Sequence, residues 1–311
     1  MSWRKSERTS PFLALAVASM AIMGFGLAGA FIVGATVASH VGPALQPAKT
    51  APQGAVKVPA SLAAQLQGYG TKKWTSTNWG GYADNATGGT ILEAYAEWIV
   101  PTISCANHDP SLSDQWVGID GFNDGTVEQG GTYEYCVSTT SGPYYWTWYE
   151  FYPYESIISV SSSVAAGDIM NAYVLYNPHV SVNGLPGIYT IVVEDLNNNA
   201  SSFMYQGDPA TCTTGGACQS GADTSAECIS ESLVGQGYYL AKTGVTTFYN
   251  CDAEINGYYS GLGGLPHGAH ATINEITTLG YVSGLTQQSI SKLTTYDLKN
   301  DHFTITWKRY S

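Results

Sequence analysis

Tyr144 to Tyr152 reads YYWTWYEFY, nine residues of which only Thr147 and Glu150 are not aromatic. Aromatic side chains favour the pleated, half-buried surface of a strand. As a strand, the run places Trp146, Trp148, Glu150 and Tyr152 on one face. Similar short segments recur at Ile91 to Val100, Ile157 to Val164, Ile169 to Tyr176 and Tyr189 to Glu194. Four more follow at Thr224 to Ser230, Thr246 to Asn250, His270 to Thr277 and Phe303 to Trp307. Gly-, Asn- and Pro-rich turns separate them, and long patterns of helical period are scarce. The expectation is an all-β, two-sheet antiparallel β-sandwich.

Trp116 to Gly131, WVGIDGFNDGTVEQGG, carries the most structured motif. Trp-Val-Gly-Ile-Asp-Gly reads as a strand running into a turn at Gly121 to Gly125. A short strand, Thr126 to Gln129, follows and ends on Gly130 and Gly131. Those two glycines let another backbone or a ligand approach beside Gln129.

Charge is unevenly placed. The net charge is −12, which argues against nucleic-acid binding, since that draws its affinity from cationic neutralisation of phosphates. From Trp74 to Leu240 there is no Lys or Arg but eighteen Asp and Glu. Carboxylates without cations oppose a compact state once ionised, and acid removes that opposition. We therefore expect an acid-adapted domain.

Arg4, Lys5 and Arg8 precede an uncharged, mostly apolar run from Pro11 to about Ser39. It is longer than the 7–15 residues of a cleaved signal core and long enough to span a bilayer. Residues 1–41 are expected to form a signal anchor or signal peptide, with Val37-Ala38-Ser39 as the cleavage site if it is cut. The basic flank orients the remainder outside the cell, at the surface or secreted. Residues 42–70, rich in Pro, Ala and Gln, form a linker or pro-segment, and the globular domain is 71–311.

The six cysteines, at 105, 136, 212, 218, 228 and 251, are even in number and lack CxxC spacing. That suits disulfides rather than zinc. Cys212–Cys218 is expected to close a small loop, with Cys105–Cys136 and Cys228–Cys251 as the remaining pairs. Asn85-Ala-Thr and Asn199-Ala-Ser match the glycosylation sequon.

No GxSxG, HExxH, P-loop or Asp-Thr-Gly motif is present. His267 and His270 lie in a Gly/Pro-rich loop without a third ligand. What remains is an ordered set of segments: Asn78-Trp79-Gly80-Gly81, Trp98-Ile-Val-Pro101, Trp116-Val-Gly-Ile-Asp-Gly121, Gln129-Gly, Trp148-Tyr-Glu-Phe-Tyr-Pro153, Ala226-Glu227 and Phe248-Tyr-Asn-Cys251. In this order and at these spacings the chain resembles the eqolisins, the glutamic peptidases, from roughly Thr71 to Trp307.

The resemblance implies a lectin-like (concanavalin A-like jelly-roll) sandwich with a substrate cleft across one face. It also implies a catalytic pair of Gln129 and Glu227, with Trp79 and Trp116 lining the cleft and Asp120 and Glu150 close by. Peptide hydrolysis in acid requires a base that a carboxylate supplies and a histidine does not. It also requires a donor for the developing oxyanion, which a non-titrating amide provides. Glu227 is expected to take a proton from water and return it to the leaving amine. Gln129 positions the water and stabilises the oxyanion. No metal or cofactor is required; the partners are protein or peptide substrates, with membrane contact through the N-terminal helix, and the chain is expected to be a monomer.

Three positions depart from the family pattern: Cys228 replaces a tryptophan, Trp146 replaces an aspartate, and Cys212 to Cys218 is a local insertion. From the residues alone, about half of Trp79, Trp98, Trp116, Trp146 and Trp148 are expected in the core, and Glu231 is expected to be solvated. Two other functions compete. A carbohydrate-binding sandwich or glycosidase would use aromatic platforms, with Glu150 and Glu227 paired about 5 Å apart if retaining. A non-catalytic surface adhesion domain is the third.

Overall fold

The computed structural model describes residues 56–57, 72–86, 90–105, 108–153, 155–182, 185–207, 221–233, 238–255, 258–261, 271–280, 288–289, 291–293 and 302–309. All fall within one compact unit, Leu45–Ser311. The apolar run before residue 41, Cys212, Cys218, His267 and His270 lie outside the described residues.

The described chain is built from strands. The first eight are β1 (Val56–Lys57), β2 (Lys72–Ser76), β3 (Trp79–Ala86), β4 (Ile91–Ile99), β5 (Ser111–Ile119), β6 (Val127–Cys136), β7 (Tyr144–Tyr152) and β8 (Ile158–Ser161). Next come β9 (Ile169–Val182), β10 (Leu185–Asp195), β11 (Phe203–Gly207), β12 (Ser225–Glu231), β13 (Tyr239–Leu240) and β14 (Val245–Ile255). The last five are β15 (Tyr258–Gly261), β16 (Ala271–Gly280), β17 (Gln288–Ser289), β18 (Ser291–Leu293) and β19 (His302–Trp307). One sheet runs β1-β2-β16-β3-β12-β5-β6-β7-β8, and the other β11-β10-β9-β4-β14-β19-β18. Pairing is antiparallel except for β2 with β16 and β5 with β13. The expected two-sheet, all-β architecture is what the chain adopts.

The aromatic ribbon is a strand with the bounds read from the sequence. The segment ending at Gln129 is not: β6 continues through both glycines to Cys136. The reason is close approach. A Cβ at Gly130 would lie 2.6 Å from Ile191 Cγ2 of the facing sheet, and one at Gly131 would lie 2.0 Å from the Gln115 carbonyl of β5. The glycines therefore permit tight packing within a strand and do not end it.

Alternation divides the first sheet into two apolar faces. The inner face (Tyr82, Val117, Ile119, Tyr149, Ala226) packs with Trp98, Val174, Ile191, Phe248 and Phe303 of the second sheet. Tyr82 meets Phe303 edge-on at 4.9 Å, and the Trp98 indole N–H reaches across to Thr132 Oγ1 at 2.9 Å. Each fully buried side chain of this size contributes about 1.5–3 kcal/mol. Trp79, Trp98, Trp116 and Trp148 are all buried, so burial claims more than the expected half.

Disulfides join Cys105 to Cys136 and Cys228 to Cys251, as expected. The second links β12 of one sheet to β14 of the other. Cys228, standing where the family pattern has a tryptophan, thus fastens the sandwich at the residue after Glu227.

Candidate active site

The outer face of the first sheet carries the site. Register alignment sets Glu227 of β12 opposite Gly118 of β5, Gly118 opposite Gln129 of β6, and Gln129 opposite Glu150 of β7. Directly opposed residues project from the same face, so acid, gap, amide and acid stand in one row across four strands. Strands lie about 4.8 Å apart, which sets the backbones of Glu227 and Gln129 about 10 Å apart. Gly118 puts no side chain between them and leaves that space to the Trp116 ring. A Cβ there would fall 2.9 Å from the Trp116 ring and 3.3 Å from the Gln129 Cβ. Gly118 had not been singled out as a site residue; a glycine in a strand interior was the available signal.

Glu227 has no exposed surface, and no hydrogen bond reaches either of its carboxyl oxygens. Burial raises its carboxyl well above the ordinary 4.5; the nearby Ser225 hydroxyl offsets part of this, and Asp120, Asp124 and Glu128 push further upward. A carboxylate suits acid because it can stay ionised there. Here the surroundings work the other way, since a low-dielectric site without a cation favours the neutral acid.

Gln129 donates from Nε2 to Glu150 Oε2 at 2.7 Å, while its Oε1 has no partner. Both side chains are buried, at 6% and 4% exposure. Burial raises Glu150 to about 8, with hydrogen bonds from Gln129 and the Ile157 backbone pulling down and Glu231 pushing up.

Further along the same face stand the aromatics. Trp79 packs edge-on against Trp116, with centroids 5.0 Å apart. Trp116 lies two residues before Gly118 and leans over it. The Trp116 Nε1 donates to Glu231 Oε2 at 2.9 Å, and Asn78 Nδ2 donates to Glu231 Oε1 at 2.8 Å. Glu231 is therefore not the solvated residue expected. Burial raises it to about 7 against those two hydrogen bonds. Its register partner Asp114, which is buried, is raised well above its usual value by burial and then by Glu231.

Asp120 follows β5 with φ 70° and no exposed surface. Its carboxyl accepts backbone N–H bonds from Ala222, Asp223 and Thr224 at 2.7, 2.9 and 2.8 Å. These residues lead directly into β12, so Asp120 fixes the start of the strand that carries Glu227. Asp120 itself is raised to about 7, chiefly by burial and Asp124. Among the described residues, no cluster of three or more His, Cys, Asp or Glu has the arrangement of a metal site.

A buried acid and an amide set across a glycine gap on one face of a two-sheet sandwich are groups suited to acid–base hydrolysis. The chain belongs to the Peptidase A4 family, whose sequence model matches residues 77–307. It is a glutamic-type peptidase. The solved structure of scytalido-glutamic peptidase with a transition state analog inhibitor is similar at a TM-score of 0.52 and 19% identity, covering 75% of this chain and 98% of that one. A second structure of that peptidase, with a peptide based transition state analog, gives 0.50 at 19% identity over the same shares. Aspergilloglutamic peptidase from Aspergillus niger gives 0.42 at 20% identity, covering 64% of this chain and 99% of that one. No curated protein matches the chain.

Proposed function

We infer that the chain is an endopeptidase acting on protein or peptide substrates through Glu227 and Gln129. The observation that carries this is the row Glu227–Gly118–Gln129, an acid and an amide on one face with no side chain on the residue between them. The binding of a peptide based transition state analog by a structural relative supports the substrate class. In this reading ionised Glu227 takes a proton from water as the water oxygen bonds to the peptide carbonyl carbon. A Gln129 N–H donates to the resulting oxyanion. Glu227 then returns the proton to the amide nitrogen, the C–N bond breaks, and acid and amine leave.

The retaining-glycosidase reading fits less well. Glu150 stands three strand spacings from Glu227, about 14 Å between backbones, against the about 5 Å of a retaining carboxyl pair. A casein digestion series from pH 2 to 7 on the fragment beginning at Thr71 tests the peptidase reading. Absence of cleavage by a folded fragment throughout that range would overturn it.

The disulfides suit an extracellular protein. We take residues 1–41 as the anchor or signal segment, 42–70 as linker or pro-segment, and 71–311 as a monomeric peptidase domain outside the cell. Protease added to intact cells should then reach residues beyond Val41. Digestion only after lysis would reverse the orientation, and sedimentation as a dimer would overturn the monomer.

A further inference from the structure

A glutamine amide has two N–H donors and one acceptor on a plane that turns about its last bond. To serve an oxyanion, that plane must be held before the substrate arrives. Gln129 is held near the start of β6, but strand geometry alone leaves its amide free to turn over. One contact fixes it. Nε2 gives one hydrogen to Glu150 Oε2 at 2.7 Å, across directly opposed positions of β6 and β7. Glu150 is itself anchored, 4% exposed, with the Ile157 backbone N–H also directed at its carboxyl. Turning the amide over would keep a bond only if Glu150 turned its own O–H towards Oε1, whereas in the arrangement present Nε2 is the donor and Oε1 is left free. The remaining N–H and the unpartnered Oε1 are then the groups left for the substrate and water.

We propose that Glu150 is a positioning residue for Gln129, selecting which edge of its amide faces the reacting peptide. The proposal rests on the catalytic reading of Gln129 given above. It goes beyond the sequence-based expectation, which placed Glu150 only close to the pair. A residue that acts through another loses its effect when that other is removed, which a substrate contact or a merely structural residue does not.

The test is a double-mutant cycle with steady-state kinetics on one fluorogenic peptide. Glu150→Ala should lower kcat by about 10–100-fold, the scale of a misplaced catalytic group, with KM within about 2-fold. Glu150→Gln keeps an acceptor oxygen at the same reach and should restore most of the loss. In a Gln129→Ala background, Glu150→Ala should lower activity by no more than about 2-fold. Wild-type activity in Glu150→Ala, or the same fold-loss with and without Gln129, would overturn the proposal. A readout independent of turnover is the Gln129 side-chain amide in ¹⁵N-labelled protein. One of its two hydrogens should exchange slowly in wild type and in Glu150→Gln, and both should exchange fast in Glu150→Ala. Equal exchange in all three overturns the positioning role even if catalysis is intact. Loss of peptidase activity in wild type with that exchange pattern present overturns only the catalytic reading. If Glu150→Ala does not fold, Glu150→Met, of similar length without an acceptor oxygen, takes its place.

Discussion

Trp116 donates its indole N–H to Glu231 at 2.9 Å, and Asn78 reaches the other oxygen of the same carboxyl at 2.8 Å. One side chain thus ties β5 and the turn before β3 to the last residue of the strand that carries Glu227. Removing it leaves two donors without an acceptor, which costs about 2 kcal/mol. Glu231→Ala should lower Tm by about 4–8 °C, measured at pH 4. An unchanged Tm would return Glu231 to the solvated surface.

The proposed pair predicts two losses of activity without loss of fold. Glu227→Gln keeps the shape and removes the proton acceptor. Gln129→Ala removes the oxyanion donor, a change that typically costs about 10²–10³-fold in rate. Both should keep the wild-type circular dichroism spectrum and melt within a few degrees of it. Glu97→Gln, on the other sheet, is the control and should stay active. If Glu227→Gln folds and retains full kcat/KM, Glu227 is not the base.

Glu227 also sets a pH dependence. Burial, Asp120, Asp124 and Glu128 together hold its proton on above 4.5. A base must lose that proton to act, so the acid limb of kcat/KM should titrate above 4.5. A limb centred below 4 would mean that the reactive form has a hydrated, not a buried, Glu227.

Stability should respond to pH with a definite sign. In the folded chain Glu150 is raised to about 8, Glu231 to about 7 and Asp120 to about 7, each first by burial. Below about pH 4 these groups are protonated whether folded or unfolded, and their contribution is fully present. As pH climbs past 4.5 the unfolded chain ionises first, and stability falls until the folded values near 7–8 are passed. Tm at pH 8 should be lower than at pH 4 by more than about 5 °C. A Tm that rises steadily towards pH 8 would contradict this.

The Cys228–Cys251 bridge closes a loop with a sequence separation of 23 residues. Chain-entropy arguments give it about 3 kcal/mol. Cys228→Ser with Cys251→Ser should lower Tm by about 6–12 °C. Activity at low temperature should fall too, because β12 loses its fastening beside Glu227. Equal melting of wild type and the double variant would show that the bridge contributes nothing to the folded state.

Local pattern made much of this fold legible. The ribbon Tyr144–Tyr152 could be read because its period and residue types agree. The extent of β6 could not, because Gly130 and Gly131 look like punctuation unless the neighbours Ile191 and Gln115 are known. The pair Gln129 and Glu227 came from resemblance, and their shared row depends on register across β5, which no single strand encodes. The same holds for Glu231: only the fold brings Asn78 and Trp116 to it. The scarcity of cations was legible in the sequence, but the burial of the carboxyls was not. Glu150, Asp120, Glu128, Glu134 and Glu227 are buried, so desolvation outweighs repulsion among solvated carboxylates.

Those enclosed carboxyls make the hydrogen ion a ligand of the native state. At neutral pH the folded domain holds protons that the unfolded chain gives up, so folding draws them from solution and unfolding returns them. Mass action then applies as it would to any bound ligand: acidifying the medium is equivalent to raising the concentration of a stabilising partner. In calorimetry the apparent unfolding enthalpy near pH 7 should vary with the ionisation heat of the buffer.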